Sequence, residues 1–223
     1  MKNKFSRRKF ISTTAFLGTS YLISKANINS LILNNIKNTS LMKENIFDFV
    51  GGNTGQWKVQ SIKKVVGESL PIVSHIQIKP GTSQKINDGT WVLKGVRSNL
   101  RYTSKQEDEK LLEISEGLGR PTSTFGALIP IHKNDAWWAL AQDERRRIFE
   151  EQSQHIKKGM KYLPAIARRL YHSRDFNEPF DFLTWFEYAP SDANAFEELV
   201  ALLRTTEEWK YVDREIDIRL ISI

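Results

Sequence analysis

Gln154–His172, QHIKKGMKYLPAIARRLYH, constrains the fold more than any other stretch of the chain. It runs a histidine, His155, off the end of an amphipathic helical pattern, through Pro164, and into a short apolar strand that carries Arg168. A proline ring clashes with the preceding turn and removes a donor, so helix and strand must be separate, adjacent elements. One soft ligand and one permanent cation are thereby presented side by side, a frame for a metal or haem site.

The flanking pattern extends this frame into a fold. Phe125–His132, FGALIPIH, reads as a short apolar strand, and Asp135 is placed to cap a helix running to about Met160. Within that span Ala141, Ile148 and His155 recur at heptad steps, which sets His155 on or beside a buried stripe. Ala165–His172 and Asp181–Tyr188 are strands joined by the turn SRDFNEP; Ser191 or Asp192 caps a helix over Ala193–Arg204, and Val212–Ile223 alternates as a last strand. The order β-α-β-β-α-β is the split βαβ, or ferredoxin-like, unit of an α+β fold. Upstream, Ile46–Val50, Trp57–Val66, Pro71–Ile78 and Trp91–Tyr102 read as strands and Glu107–Gly117 as a helix closing on glycine. These pieces make a truncated N-terminal half. The expected organisation is one domain over 45–223, with 45–120 the truncated half and 121–223 the ferredoxin-like half.

The net charge of +7 is misleading until it is located. Residues 1–30 carry Lys2, Lys4, Arg7, Arg8, Lys9 and Lys25 and no acid, which leaves +1 for the rest of the chain. Nucleic-acid binding therefore loses its electrostatic support. Ser6-Arg7-Arg8-Lys9-Phe10-Ile11 followed by the uncharged run ISTTAFLGTSYLIS resembles a twin-arginine signal. The run is too short to span a bilayer comfortably. The expectation is a leader over 1–30, an Asn-rich linker over 31–44, and export through the twin-arginine machinery to the periplasm with no stable membrane span. An ordinary secretory signal or short anchor is the alternative. The chain has no cysteine, so disulfides, thiolate catalysis, iron–sulfur clusters and covalent c-type haem are excluded. Any metal must rest on histidine, carboxylate or tyrosine, and the histidines are His75, His132, His155 and His172. No Walker loop, dinucleotide fingerprint, zinc-protease motif or nucleophile elbow is present.

Each site residue has a bland reading beside the sharp one. A lone histidine on a partly apolar helix face is more often a satisfied core residue than a ligand. In AIARRLYH, alternation sets Ile166, Arg168 and Leu170 on one face and Arg169 on the other, so one arginine must face an apolar side and find an anion or a carboxylate. Glu208, where the last helix meets the last strand, could orient a ligating histidine or could be solvated. Trp137-Trp138 reads as core or as cofactor wall. Lys133 reads as solvent-facing or as the partner of a propionate at a pocket mouth.

Four blocks taken together narrow these choices: Ala127-LIPIHK-Asn134, Ala136-WWALAQDERRRIFEEQSQHI-Lys157, Tyr162-LPAIARRLYHSRDFNEPFDFLTWFEYAP and Leu203-RTTEEWKYVDREIDIRL. With them, the chain from Gly51 onward resembles the short, dimeric branch of the chlorite dismutase family. The resemblance implies a dimeric α+β barrel of ferredoxin-like units and one haem b per subunit. It implies His155 as the proximal iron ligand, Glu208 as the carboxylate bonded to it, and Arg168 as the distal catalytic arginine. Lys133, Trp138 and Tyr102 would be haem-pocket residues. The implied reaction takes chlorite to chloride and dioxygen by way of a ferryl and hypochlorite. Coproheme decarboxylases share the fold but resemble this chain less at Arg168, where they usually carry glutamine. A decarboxylase-like or peroxidase-like haem enzyme, or a non-catalytic haem-binding protein, remains the alternative.

Overall fold

The computed structural model describes residues 45–81, 89–97 and 103–223. The expected leader, the linker and Tyr102 lie outside the described residues. Strands β1 (Ile46–Gly52), β2 (Trp57–Val66), β3 (His75–Pro80) and β4 (Trp91–Arg97) are followed by helix α1 (Lys105–Ile114). Then come β5 (Phe125–Lys133), the short helices α2 (Asp135–Ala139), α3 (Gln142–Arg146) and α4 (His155–Met160), and β6 (Ile166–His172). β7 (Phe182–Tyr188), α5 (Ala193–Arg204) and β8 (Val212–Ser222) complete the order. The strands close into a barrel in the order β1-β3-β2-β8-β5-β7-β6-β4, with β4 returning to β1.

The second half is the ferredoxin-like unit expected from the sequence. Its strands lie in the order β8-β5-β7-β6, every neighbouring pair antiparallel. The first half repeats that order as β2-β3-β1-β4, without a helix between β1 and β2. Both strands run antiparallel to β3, but β2 meets it only at Ile76 and His75 before passing on to pair with β8. Residues 53–56 carry the chain across the beginning of β3 in place of a crossover helix. That crossing needs glycine: a Cβ on Gly55 would lie 2.4 Å from the Ile76 carbonyl oxygen. This is the physical content of the truncation.

Alternation sorts the strand residues into two compartments. Phe49, Trp57, Ile76, Leu93, Leu128, Tyr171, Leu183, Trp185, Ile216 and Ile218 fill the barrel interior, with rings of Trp57 and Trp185 edge-on at 5.0 Å. Ile129, Ile131, Ile166 and Phe186 point outward; with Phe196, Leu199 and Leu203 of α5 they form a second core. Its helix boundaries match the sequence reading residue for residue.

The segment between β5 and β6 departs from expectation. A single helix from Asp135 to Met160 is replaced by three short ones and a π-helical turn over Arg147–Gln152. Asn134, not Asp135, is the cap, its side chain accepting from the Trp137 amide at 3.1 Å. Leu140 and Ala141 are extended, and the Ala141 amide donates to Glu144, which restarts the helix as α3. Gln154 adopts a left-handed conformation (φ 52°) and restarts it again as α4. The heptad argument therefore fails: Ala141 is exposed, and His155 opens a new helix instead of continuing a stripe. β3 also starts at His75, later than Pro71, whose carbonyl accepts from the Trp91 indole at 3.0 Å.

Candidate active site

The outer faces of β5, β6 and β7, which α5 covers at one end, are faced at the other by the broken helical segment and α1. Between them lies a cavity of about 1050 Å³. Its walls are largely apolar, including Ile129, Ile131, Phe149, Leu163, Phe182 and Phe186, and into it reach His155, Arg168, Lys133 and Glu208.

His155 is held on two sides. Its Nδ1 lies 2.8 Å from Glu208 Oε2, and its ring stacks on Phe149 with centroids 4.4 Å apart and planes inclined by 21°. A carboxylate acceptor at Nδ1 puts the ring proton there and leaves Nε2 as the nitrogen for a metal. Glu208 is itself fixed: its amide donates to the Ser153 hydroxyl at 2.9 Å, and its Oε1 accepts from Lys133 Nζ at 2.5 Å. Burial alone would raise the Glu208 carboxyl, yet Lys133 and His155 together outweigh it and hold the pKa at about 2. The Lys133 pKa is lowered too, but there burial outweighs the attraction of the Glu208 carboxylate, which it has to share with the imidazole. The π-helical turn and left-handed Gln154 make this arrangement possible, because they turn the first residue of α4 toward the sheet.

Arg168 faces the cavity, as alternation along β6 requires. Burial pushes its guanidinium below the ordinary arginine value, and no carboxylate among the described residues pairs with it. The salt bridge offered as its bland reading is absent among those residues. Gly159 of α4, one turn beyond His155, leaves space for it: a Cβ there would lie 3.7 Å from Arg168 Nη1. Strand and helix thus hold a cation and an imidazole on the walls of one cavity.

The sequence of residues 77–221 matches the family model described as chlorite dismutase. The chain belongs to that family. It is 53% identical to a dimeric chlorite dismutase from Nitrobacter winogradskyi, with a TM-score of 0.75, covering 79% of this chain and 99% of that one. A chlorite dismutase from Ideonella dechloratans is 32% identical over 130 residues; the match takes in 56% of this chain and 42% of that protein. The chain therefore spans less than half the length of that relative. A chlorite dismutase from Candidatus Nitrospira defluvii in complex with imidazole shares the fold, with a TM-score of 0.54 at 19% identity over 92% of this chain and 87% of that one.

The family implies a haem, and the residues present fit one. Among the described residues no group of three or more histidines and carboxylates could hold a bare metal ion. A metal here must bring its own equatorial ligands, and one oriented imidazole on a broad apolar cavity suits a macrocycle. Tyr102 lies outside the described residues. Two other expected pocket residues are placed differently from the reading of the sequence. Lys133 is 3% exposed and not at the mouth; its ammonium is bonded to Glu208 and lies 3.8 Å above the Trp137 ring. Trp138 is not part of the cavity wall. It stacks on Phe182, donates to Asp181 at 3.2 Å and lies under the Arg174 guanidinium. Trp137 lines the cavity instead, because consecutive residues of a helix project to different sides, so the two indoles diverge. Sequence reasoning also missed Phe149 and Ser153, since neither carries a pattern until the helix break is known.

Proposed function

We propose that this protein is a haem b-dependent chlorite dismutase that converts chlorite to chloride and dioxygen. One observation carries the reading: a histidine whose ring is oriented by a buried, ionised carboxylate shares an apolar cavity with an arginine that no described carboxylate neutralises. Haem iron, when bound, would supply the electron exchange that moves an oxygen atom off chlorite. His155 would hold it through Nε2, with Glu208 keeping the Nδ1 proton in place and making the imidazole a stronger donor. Lys133 would keep Glu208 ionised within the protein. Arg168 would attract the monovalent chlorine oxyanion and hold it by charge-assisted hydrogen bonds until both oxygens have joined. The apolar walls would keep water from competing for those bonds.

The test is oxygen evolution from chlorite by the full-length protein loaded with haem b, read on an oxygen electrode. One dioxygen and one chloride per chlorite is the expected result. A haem-replete protein that releases no oxygen overturns the reading and turns attention to coproheme with peroxide. The Arg7-Arg8 leader supports export to the periplasm by the twin-arginine route, which a reporter fusion with Arg7→Lys/Arg8→Lys would test by loss of export. The dimeric Nitrobacter protein supports a homodimer, which light scattering on the purified protein would test.

A further inference from the structure

The outer faces of β5, β6 and β7 turn four polar side chains to the cavity: Lys133, Arg168, His172 and Thr184. Lys133 is bonded to Glu208, and the His172 ring stands edge-on against Phe182 at 5.2 Å. Arg168 faces no described carboxylate. Thr184 sits in the middle of an apolar wall. Ile129 lies opposite it on β5 and Leu170 on β6, and Phe182 and Phe186 flank it along its own strand face. Among the described residues no group is hydrogen-bonded to its hydroxyl. A hydroxyl adds nothing to an apolar wall unless an acceptor comes to meet it.

Register places that hydroxyl beside the cavity's unneutralised cation. Arg168 lies opposite Phe186, two residues beyond Thr184 on the same face of β7, so the two polar residues are diagonal neighbours. Such neighbours stand about 7–8 Å apart, within reach of a long side chain such as arginine. Leu170, opposite Thr184, is apolar and yet 38% exposed, so the wall is open at this point. His155 reaches in from α4, on the facing wall, so a small ligand on the sheet side meets Arg168 and Thr184 together. Once a macrocycle shuts out water, the hydroxyl needs an acceptor, and an anion beside Arg168 supplies one. The guanidinium brings the charge for one oxygen, and the hydroxyl offers a further donor to one side of it. A bent anion with two terminal oxygens meets both; a linear ligand with one outward acceptor meets one.

We propose that the Thr184 hydroxyl and the Arg168 guanidinium form a two-point site for a bent, two-oxygen monovalent anion, the guanidinium holding one oxygen and the hydroxyl donating to the other. The site rests on the haem-binding reading of the cavity and deepens it, since it selects the anion by shape as well as by charge. Thr184 is then a substrate-binding residue.

Nitrite is the probe, being bent, two-oxygened and monovalent, and its affinity for the full-length protein loaded with ferric haem b is read from the Soret shift. Thr184→Val keeps the shape of the side chain and removes the hydroxyl. It is expected to weaken nitrite binding by about 10–100-fold, the usual effect of losing a hydrogen bond to a charged group. Thr184→Ser should hold nitrite nearly as wild type does, and cyanide should bind all of these proteins alike. Nitrite affinity unchanged in Thr184→Val overturns the site. So does a serine variant as weak as valine, or an equal loss of cyanide, which would mean a disturbed haem seat. Oxygen evolution separates the site from the chlorite reading. Thr184-dependent nitrite binding without oxygen from chlorite refutes the reaction and keeps the site; rapid evolution with nitrite indifferent to Thr184→Val does the reverse. A chain that takes up no haem overturns both. Thermal unfolding and the Soret band check each variant, and if Thr184→Val fails to fold or load, Thr184→Ala must show the same loss of nitrite.

Discussion

His155 and Arg168 line the same cavity, yet their removal should be told apart by two different readings. His155→Ala is expected to lower haem retention, seen as a weakened Soret band after gel filtration. Arg168→Ala should keep the haem and lower oxygen evolution from chlorite by about 10²–10³-fold, the usual loss when one preorganised donor is removed. A normally loaded His155→Ala protein would refute the ligand assignment. Lys133 was the hardest of these residues to read. Its strand pattern was visible, but nothing local told that its ammonium meets a carboxylate 75 positions later. Breaking that buried pair should be costly, and Lys133→Met is expected to destabilise the protein by roughly 3–5 kcal/mol in urea unfolding. The Glu208 pKa is depressed to about 2 from an ordinary 4.5, so its stabilisation is complete above pH 4.5 and drains away as pH falls toward 2. Haem-free wild type should therefore lose urea resistance between about pH 5 and about pH 3 by more than Glu208→Gln does.

At the level of elements, strands were more legible than the helical segment between β5 and β6. Period-two alternation of FGALIPIH and REIDIRLISI survives any tertiary context that buries one face. The helical periodicity of residues 135–160 did not survive, because side-chain caps at Asn134 and Glu144 and the left-handed Gln154 each reset the helix phase. Gly159 tests the consequence for α4. Its Cβ would stand in ordinary contact with Arg168, so Gly159→Ala should fold at least as well as wild type, with a gain of about 0.4–1 kcal/mol from reduced unfolded-state freedom. Gly159→Leu should instead push Arg168 aside and lower chlorite turnover while the Soret band stays intact. Retained turnover in Gly159→Leu would show that Arg168 does not depend on that space.

Closure of the barrel could not be read from the sequence. It rests on the two seams between the halves, β4 with β6 and β2 with β8, and the latter joins residues about 160 positions apart, whose pairing leaves no local trace. What alternation did foretell is that the strands have two kinds of neighbour. On β6 and β7, Tyr171, Leu183 and Trp185 pack inside, while Arg168, Leu170, Phe182, Thr184 and Phe186 line the cavity outside. A saturation scan of β6 and β7 should show this as a two-residue rhythm. Inward substitutions should cost soluble yield, and outward ones should cost haem loading or turnover at unchanged yield. A uniform pattern along both strands would contradict the two-compartment description. A single layer of backbone thus divides the work of inheritance: one parity of positions is answerable to folding and the other to chemistry. A lineage built on this barrel can revise what its outer wall greets without renegotiating what keeps the wall standing.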